Sequence, residues 1–442
     1  MTSAVGVAGG TGGVHGGAGG GGVGGGVDVL AETEDQTALR ELARSVAERE
    51  IAPGAALRDE TGEIPLDAIK ALAAADLFRI TIGAEWGGFG MGDVEASIVL
   101  EEIARYDVSA AICCQLTFNG PPRGIEHLGS PALKERWLPA AAAGEAIISI
   151  GITEPDAGSA VQAMRTALTD DGPGRWRLNG YKNYSTLGHA AAGILVWCRW
   201  PGGSGGSGVS GGSGGSGGSG AKGIGAVIVP MDRDGVSVTG RHRGMGIHAA
   251  TEAEIAFDDV AVTSSDVLLA GDPGSTAPFK KLLSHLNHER CGNASMCIGA
   301  AQGALENSVR YMHDRVVAGQ PIAALQGLQW KLADMAVALE GARLLLGRAV
   351  RLAGPGGTPP ALETAMAKTA ANLAAKMVCD EAIQLHGGYG YSREYPVERA
   401  YRDIRGLCIG AGTVEAQRNY IGLSVSAGKR TGSPGWRDPL RG

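Results

Sequence analysis

The chain of 442 residues lacks the cysteine patterns typical of a zinc site or a disulfide framework. Its seven cysteines are odd in number, scattered, and never spaced C-x-x-C, so we expect a reducing compartment such as the cytoplasm and no metal ion. Blocks of lysine and arginine interleaved with aromatic residues are also missing, and the formal net charge is −7. The sequence therefore argues against nucleic acid as a partner.

Long apolar runs are missing as well. No stretch reaches the ~20 residues needed to span a bilayer, and the N-terminus lacks the basic start and apolar core of a secretory signal. We therefore expect no membrane span and a cytoplasmic protein.

Glycine, in contrast, is abundant, with 73 residues in the chain. Residues 1–27 contain 14 of them and residues 202–220 contain 12. Segments with so few large side chains cannot offset their ordering entropy by burial. We expect a disordered tail over residues 1–31 and a flexible insertion over residues 202–220. A hairpin between two strands tolerates such an insertion, because closure entropy grows slowly with loop length.

The rest of the sequence changes its hydrophobic period twice. Residues 32–145 carry apolar side chains at helical spacing. Residues 146–268 contain short, β-branched and often alternating runs between turn residues, which predicts a meander of antiparallel strands. Residues 269–428 return to a strong helical period, and residues 429–442 form a tail. We therefore predict an α+β fold: an N-terminal helical domain, a central antiparallel β domain and a C-terminal helical bundle.

Two strings offer polar groups to a ligand. Residues 152–159 read ITEPDAGS and provide the hydroxyls of Thr153 and Ser159. Residues 384–391 read QLHGGYGY, and their glycines would let backbone amides approach a phosphate. Each string also fits an ordinary turn, and the second does not follow a strand as a dinucleotide fingerprint would. Neither string assigns a function by itself.

The two strings belong to a longer series of motifs. The series comprises T-E-P-x-A-G-S at 153–159, G-x-K-x-x-x-T at 180–186, R-x-x-x-G-x-P-I-x-x-x-Q at 315–326, A-D-M at 333–335, Q-x-x-G-G-x-G-Y at 384–391 and E-Y-P-V-E-R at 394–399. With these motifs in this order, residues 34–424 resemble the acyl-CoA dehydrogenase family. The resemblance implies the same helical–β–helical fold, one non-covalent FAD, a thioester substrate, and flavin sites shared between the subunits of an oligomer, typically a homotetramer.

The resemblance also implies roles for individual residues. Ile152, Thr153 and Ser159 match positions along the flavin and the pantetheine arm, Tyr184 matches an aromatic residue that stacks on the flavin, and Thr186 matches a hydroxyl at the flavin edge. Arg315, Gln326, Gln384 and Gly388 match positions that hold the ADP half of an FAD bound to a neighbouring subunit. Thr413 and Glu415 match the last contacts with FAD along the chain. Substrate-binding positions are matched by Ser159, Asn287, Arg290 and Gly410. The sequence departs from the pattern at Ala318, in place of a Phe near the adenine, and at Ala160, in place of an Asp.

The most informative departure concerns the catalytic base. Dehydrogenation requires a base for the α-proton while a β-hydride leaves to the flavin. Most members of the family carry the catalytic Glu where Ala411 stands. A branch that includes isovaleryl-CoA dehydrogenase places its Glu earlier in the chain, at a position that matches Glu289. The resemblance thus implies Glu289 as the base, and the backbone N–H of Ala411 as a donor to the thioester oxygen. The ordinary alternative for Glu289 is a helix-surface carboxylate in an ion pair.

The implied activity is FAD-dependent conversion of an acyl thioester to a 2-enoyl thioester. The substrate is an acyl-CoA or an acyl group on a carrier protein, and the electron acceptor is an electron-transferring flavoprotein or a similar protein. A flavin oxidase or monooxygenase relative is a further alternative, as is a binding protein without flavin. The acyl chain length, the bond desaturated and the electron acceptor are left open by the sequence.

Overall fold

The computed structural model describes residues 30–202 and 220–429. The segments predicted as a disordered tail, a flexible insertion and a C-terminal tail lie almost entirely outside these ranges. The described chain begins and ends with helices and has a sheet between them. This order confirms the predicted fold class.

Seven helices form the N-terminal part. They are α1 Glu34–Val46, α2 Ala55–Thr61, α3 Leu66–Ala74, α4 Asp93–Ala104, α5 Val108–Cys114, α6 Pro121–Leu128 and α7 Pro131–Ala142. Polar side chains start three of them: Thr33 forms a capping box with Gln36 before α1, Asp107 caps α5, and Ser130 caps α7. A π-helical turn at Gln115–Asn119 continues α5 and leads into α6.

Eight strands form one sheet in the middle of the chain. They are β1 Ile148–Gly151, β2 Ala167–Asp170, β3 Arg175–Thr186, β4 Gly193–Arg199, β5 Ile224–Pro230, β6 Val236–Arg241, β7 Glu252–Thr263 and β8 Val267–Leu269. The order is β6-β7-β3-β2-β4-β5-β8, with β1 also paired to β4. Most pairs are antiparallel as predicted, whereas β4 pairs in parallel with β1 and, at one position, with β2. The β2–β3 excursion between β1 and β4 supplies the long connection that a parallel pair requires.

The central strands β4 and β5 are buried along their whole length. Alternate side chains of β4 enter two different cores, because successive residues of a strand point to opposite faces. Leu195 and Trp197 join a core with helices α6 and α7, whereas Ile194 and Val196 pack among residues of the sheet itself. The sheet is thereby fixed against the helices that precede it.

Five helices and a small hairpin follow the sheet. They are α8 Ala277–Asp314, β9 Val316–Val317, β10 Gln320–Pro321, α9 Gln326–Arg351, α10 Ala361–His386, α11 Pro396–Leu407 and α12 Val414–Ser426. The β9–β10 hairpin interrupts the stretch that the sequence predicted as wholly helical.

Helix α8, with 38 residues, is the longest described element and joins the two helical parts in one core. It approaches α4 so closely that a Cβ at Gly299 would lie 2.1 Å from the carbonyl oxygen of Glu101. Only a residue without a side chain permits this contact. Among the described helices, none is both long and apolar enough to cross a bilayer.

Candidate active site

The carboxyl group of Glu289 lies where α8 passes the π-helical turn Gln115–Asn119. The close approach is visible at Gly120, where a Cβ would lie 2.9 Å from Glu289 Oε1. Glu289 is half-buried, and no side chain or backbone group of the described residues forms a hydrogen bond or ion pair with its carboxyl group. Burial raises the pKa of Glu289 to about 7, and the neighbouring Arg290 only partly opposes this rise. Such a carboxyl group can exchange its proton near neutral pH.

His288 precedes Glu289 but faces another part of the molecule. Its Nδ1 lies 2.7 Å from Asp93 Oδ1 on α4, and its backbone oxygen accepts a hydrogen bond of 3.0 Å from Asn119 Nδ2. Adjacent helical residues point about 100° apart, which agrees with the different surroundings of His288 and Glu289. The Asn119 contact also fixes α8 against the π-helical turn next to the carboxyl group.

The loop that carries Ala411 is fastened to α8 by the next residue, Arg290. Arg290 Nε donates to Ala411 O at 3.2 Å, and Arg290 Nη1 donates to Asn287 Oδ1 at 2.9 Å. Asn287 in turn donates to Pro359 O at 2.9 Å. Asn287 and Arg290, expected to contact the substrate, therefore also fix the position of the loop.

Ala411 has an unusual backbone conformation, with a φ of 55°. A non-glycine residue in this region is uncommon and costs ~1–2 kcal/mol. Its carbonyl oxygen is used by Arg290, whereas no acceptor among the described residues receives its N–H. The neighbouring Gly410 is exposed. The loop thus presents a backbone donor without a partner.

A buried polar network beneath this loop was not predicted. Lys368 Nζ donates to Asn372 Oδ1 at 2.8 Å and to Leu407 O at 3.3 Å, and Asn293 Nδ2 also donates to Leu407 O, at 2.9 Å. Burial lowers the pKa of Lys368 to about 8. The network fixes the end of α11 immediately before the loop. Its members come from α8 and α10, so only the fold brings them together.

A buried ion pair links two of the sequence motifs. Lys182, in G-x-K-x-x-x-T, places its Nζ 2.8 Å from Glu154 Oε1, in T-E-P-x-A-G-S, and 3.0 Å from Ile152 O. Both side chains are at most 7% exposed. Burial alone would raise the pKa of Glu154, but the Lys182 ammonium and nearby donors lower it overall. The pair holds the loop after β1 against β3, and it explains why the two motifs contain Glu and Lys.

The loop after β1 keeps the predicted ligand residues at the surface. Thr153 O accepts a hydrogen bond of 2.9 Å from Asn183 N, which joins Thr153 to β3. Ile152 and Thr153 are half-buried, and Ser159 is exposed.

The end of β3 presents a flat aromatic ring beside a polar pair. Tyr184 has a φ of 57° within a register shift of β3 against β7, and its ring is 55% exposed. It stacks on His242, with ring centroids 4.7 Å apart. Two residues later, Thr186 Oγ1 donates to Glu252, with both carboxyl oxygens 2.9 Å away. Burial raises the pKa of Glu252 to about 8. An exposed ring next to a hydroxyl–carboxyl pair fits a planar heterocycle with a polar edge, as the isoalloxazine of FAD is.

The residues expected to hold the ADP half lie elsewhere. Arg315 follows Glu289 by 26 positions, which corresponds to ~39 Å along a helix. Arg315, Gln326, Gln384 and Gly388 are all exposed. The ends of α8 and α10 are adjacent, because Tyr311 stacks on His386 with ring centroids 4.4 Å apart. His386 donates through Nδ1 to Ala382 O at 2.8 Å, within the last turn of α10.

The two residues after the loop start α12. Thr413 Oγ1 accepts a hydrogen bond of 3.1 Å from Ala416 N and so caps the helix. Glu415 is exposed in its first turn. The structure therefore brings together Glu289, Asn287, Arg290 and the loop at 410–413, and separately the ends of α8 and α10.

Comparison with known proteins identifies similar chains along nearly the whole described length. Models of the acyl-CoA dehydrogenase N-terminal, middle and C-terminal domains match residues 33–145, 149–260 and 279–425. A probable acyl-CoA dehydrogenase of Bacillus subtilis is 34% identical over 389 residues, which cover 88% of this chain and 97% of that protein.

Two solved structures have the same fold over their full lengths. Butyryl-CoA dehydrogenase from Megasphaera elsdenii has a TM-score of 0.81 at 30% identity, covering 90% of this chain and 99% of its own. A glutaryl-CoA dehydrogenase of Mycobacterium smegmatis, in complex with FADH2, has a TM-score of 0.80 at 26% identity, covering 93% and 98%.

Proposed function

Because the chain belongs to the acyl-CoA dehydrogenase family, we propose that it removes an α-proton and a β-hydride from an acyl thioester to give a 2-enoyl thioester. It is an FAD-dependent oxidoreductase that acts on acyl-CoA.

The observation that carries the proposal is the state of the Glu289 carboxyl group. It is half-buried, it has no partner among the described residues, and its pKa is raised to about 7. A carboxylate in an ion pair would be stabilised as the anion and would be a weaker base. Glu289 is adjacent in sequence to Arg290, which holds the Ala411 loop. We propose that the carboxyl group and the free N–H of Ala411 act on the same substrate.

In the proposed mechanism Glu289 takes the α-proton, and its carboxyl group holds that proton after the reaction. The Ala411 N–H donates to the thioester oxygen and stabilises the negative charge that develops there. FAD supplies the acceptor for the β-hydride when it is bound. Asn287 and Arg290 orient the loop and the acyl thioester, with Gly410 and Ser159 as further substrate contacts.

Two groups of residues are proposed to hold the flavin. Ile152, Thr153, Tyr184 and Thr186 would contact the isoalloxazine half, and Thr413 and Glu415 would complete that site. Arg315, Gln326, Gln384 and Gly388 would contact the ADP half bound to a neighbouring subunit. The separation of Arg315 from Glu289 supports this division, because ~39 Å along one helix exceeds the reach of a single dinucleotide.

A homo-oligomer, in particular a tetramer, would also cover apolar surface on the C-terminal helices. Trp330 and Val337 on α9 are 63% and 73% exposed, and Leu423 on α12 is 71% exposed. Clustered apolar exposure of this kind is typical of interfaces. We further propose an electron-transferring flavoprotein or a similar protein as the electron acceptor, and a cytoplasmic location.

The test is anaerobic flavin bleaching in single turnovers against a panel of acyl-CoAs. Wild type should bleach with at least one of them, whereas Glu289→Gln should retain its flavin and bleach at least ~10²-fold more slowly, the lower end of what a positioned base contributes. Glu306→Gln, on the same helix but paired with Arg105, is the matched control and should bleach at the wild-type rate. A rate for Glu289→Gln within a few-fold of wild type would show that Glu289 is not the base.

A further inference from the structure

Three histidines that are far apart in the sequence meet where α6 contacts α8. His285 and His288 lie one turn apart on α8, and His127 lies in the last turn of α6. The ring centroids are 5.2 Å apart for His127 and His285, 5.8 Å for His127 and His288, and 5.6 Å for His285 and His288. One ring nitrogen from each residue lies within 4.8 Å of the other two.

The nitrogens in this cluster include two buried atoms without partners. His288 is 1% exposed, and its Nδ1 is engaged by Asp93 Oδ1 at 2.7 Å. An N–H at Nδ1 leaves a lone pair on His288 Nε2, and that atom has no hydrogen-bond partner. His285 Nδ1 is likewise buried and without a partner. A buried polar atom left unpaired is costly, so these two nitrogens point to a ligand that is not part of the chain.

Asp93 gives the cluster a feature common to metal centres. A histidine that binds a metal through one nitrogen usually donates the other N–H to a carboxylate, which fixes its tautomer and orientation. The contact between Asp93 and His288 has this arrangement. The tautomer that it selects leaves the lone pair of His288 on Nε2.

Asp93 contacts the cluster, and three cationic side chains lie around it. Arg123 is buried 3.7 Å from Asp93, so that these two opposite charges offset each other. Lys134 and Lys281 act on His127 and His285 from farther away. A metal ion binds the neutral form of imidazole.

We propose that His127, His285 and His288 form a binding site for a divalent transition-metal ion of the Zn²⁺ class. Imidazole nitrogen suits Zn²⁺, Cu²⁺ and Ni²⁺, whereas Mg²⁺ and Ca²⁺ require oxygen ligands. Zinc–nitrogen bonds of ~2.0–2.1 Å require the three nitrogens to close in by ~1 Å. The exposed His127, at the end of a short helix, is free to make this movement. Its exposure also leaves the fourth coordination position open to water.

The ion would connect the N-terminal helices to α8 at a point separate from the proposed base. Glu289 faces Gly120, whereas His288 contacts Asp93, because adjacent residues on a helix point about 100° apart. The site therefore does not depend on the proposed dehydrogenase mechanism, and its test can be read without turnover.

The experiment is titration of the purified, chelator-treated holoenzyme with Zn²⁺ by calorimetry. Co²⁺ is used in parallel to record the visible ligand-field bands of a low-coordinate site. Wild type should bind one Zn²⁺ per chain, with no competition from excess Mg²⁺. His127→Ala and His285→Ala should each weaken Zn²⁺ binding at least tenfold. His313→Ala removes an exposed histidine of the same helix and should bind as wild type does.

Two results would overturn the proposal. The first is the absence of saturable Zn²⁺ binding by wild type, and the second is unchanged binding by His127→Ala. Because His127 is exposed and lies outside the core, its variant should fold, and the flavin absorbance of the purified protein checks this. If His285→Ala fails to retain flavin, His127→Ala alone decides the question.

Discussion

Glu154 lies in the loop after β1 and Glu289 lies on α8, and the surroundings of these two carboxylates differ completely. Glu154 pairs with Lys182 and accepts hydrogen bonds from the backbone of Arg165 and Thr166, so its pKa is lowered despite burial. Glu289 has no partner among the described residues, and its pKa is raised to about 7. The paired carboxylate fastens a loop, whereas the unpaired one is available for proton transfer.

The largest effect on stability should come from breaking the pair at Glu154. Lys182→Met keeps much of the side-chain volume but leaves a buried carboxylate without its cation, which costs ~3–5 kcal/mol. Denaturant unfolding of the purified protein measures this loss. The matched control is Lys331→Met, which breaks the half-exposed pair with Glu381 and should cost less than ~1 kcal/mol. Equal losses in the two variants would contradict the structural role given to the buried pair.

The next effect concerns the loop on the side of Glu289. Arg290→Lys keeps a positive charge but cannot donate to Ala411 O and Asn287 Oδ1 together, so the loop should shift. Because small misplacements of catalytic groups are costly, the rate of flavin bleaching should fall ~10-fold. Arg310→Lys is a close control, because Arg310 makes the same contact with Asn307, three residues earlier on α8. A normal rate in Arg290→Lys would mean that the loop is held by other contacts, such as the network around Lys368.

Glu252 provides an intermediate case, because among the described residues its carboxyl group is hydrogen-bonded by the neutral hydroxyl of Thr186 and by no cation. Burial raises its pKa from 4.5 to about 8. At a pH between these two pKa values, the folded protein keeps a proton on Glu252 that the unfolded chain releases. The free energy of unfolding therefore falls as the pH rises from about 5 to 8, by ~1 kcal/mol per pH unit. Glu252→Gln should remove this loss. Unfolding of wild type and variant at pH 5, 6, 7 and 8 gives the comparison, and parallel pH profiles would show that Glu252 does not titrate in this range.

The smallest effect is expected from deleting residues 203–219. The strands on either side, β4 and β5, pair along their full lengths, and Trp200 N donates to Gly223 O beyond them. Closure entropy changes slowly with loop length, so the unfolding free energy should change by less than ~1 kcal/mol and the bleaching rate should stay the same. A large loss of either would indicate a contact made by the deleted segment.

The sequence predicted the order of helices and strands because hydrophobic period and turn residues are local signals. The motifs around Thr153, Thr186 and Gln384 could also be found in the sequence, because each is a run of residues close together in the chain. Their roles toward the flavin came from the resemblance and stay predictions. Glu289 as the base came from the resemblance and stays a prediction, although its unpaired state supports it.

Other parts of the site depend on contacts that the sequence cannot show. Glu252 lies opposite Thr186 because β3 and β7 pair in a register that shifts between Lys182 and Ser185. His127 reaches His285 from 158 positions away and His288 from 161 positions away. The expectation of no metal ion rested on cysteine spacing, and a histidine cluster assembled by the fold leaves no such pattern. The Lys368 network likewise draws on three separate helices.

The length of α8 has an evolutionary consequence. With Glu289 near its start and Arg315 at its end, one helix would serve the chemistry of its own subunit and the cofactor of a neighbour. An insertion or deletion of one residue between them would rotate one end about 100° relative to the other and so disturb two active sites at once. If both roles hold, substitutions can accumulate along this helix, whereas selection at both ends would preserve its length.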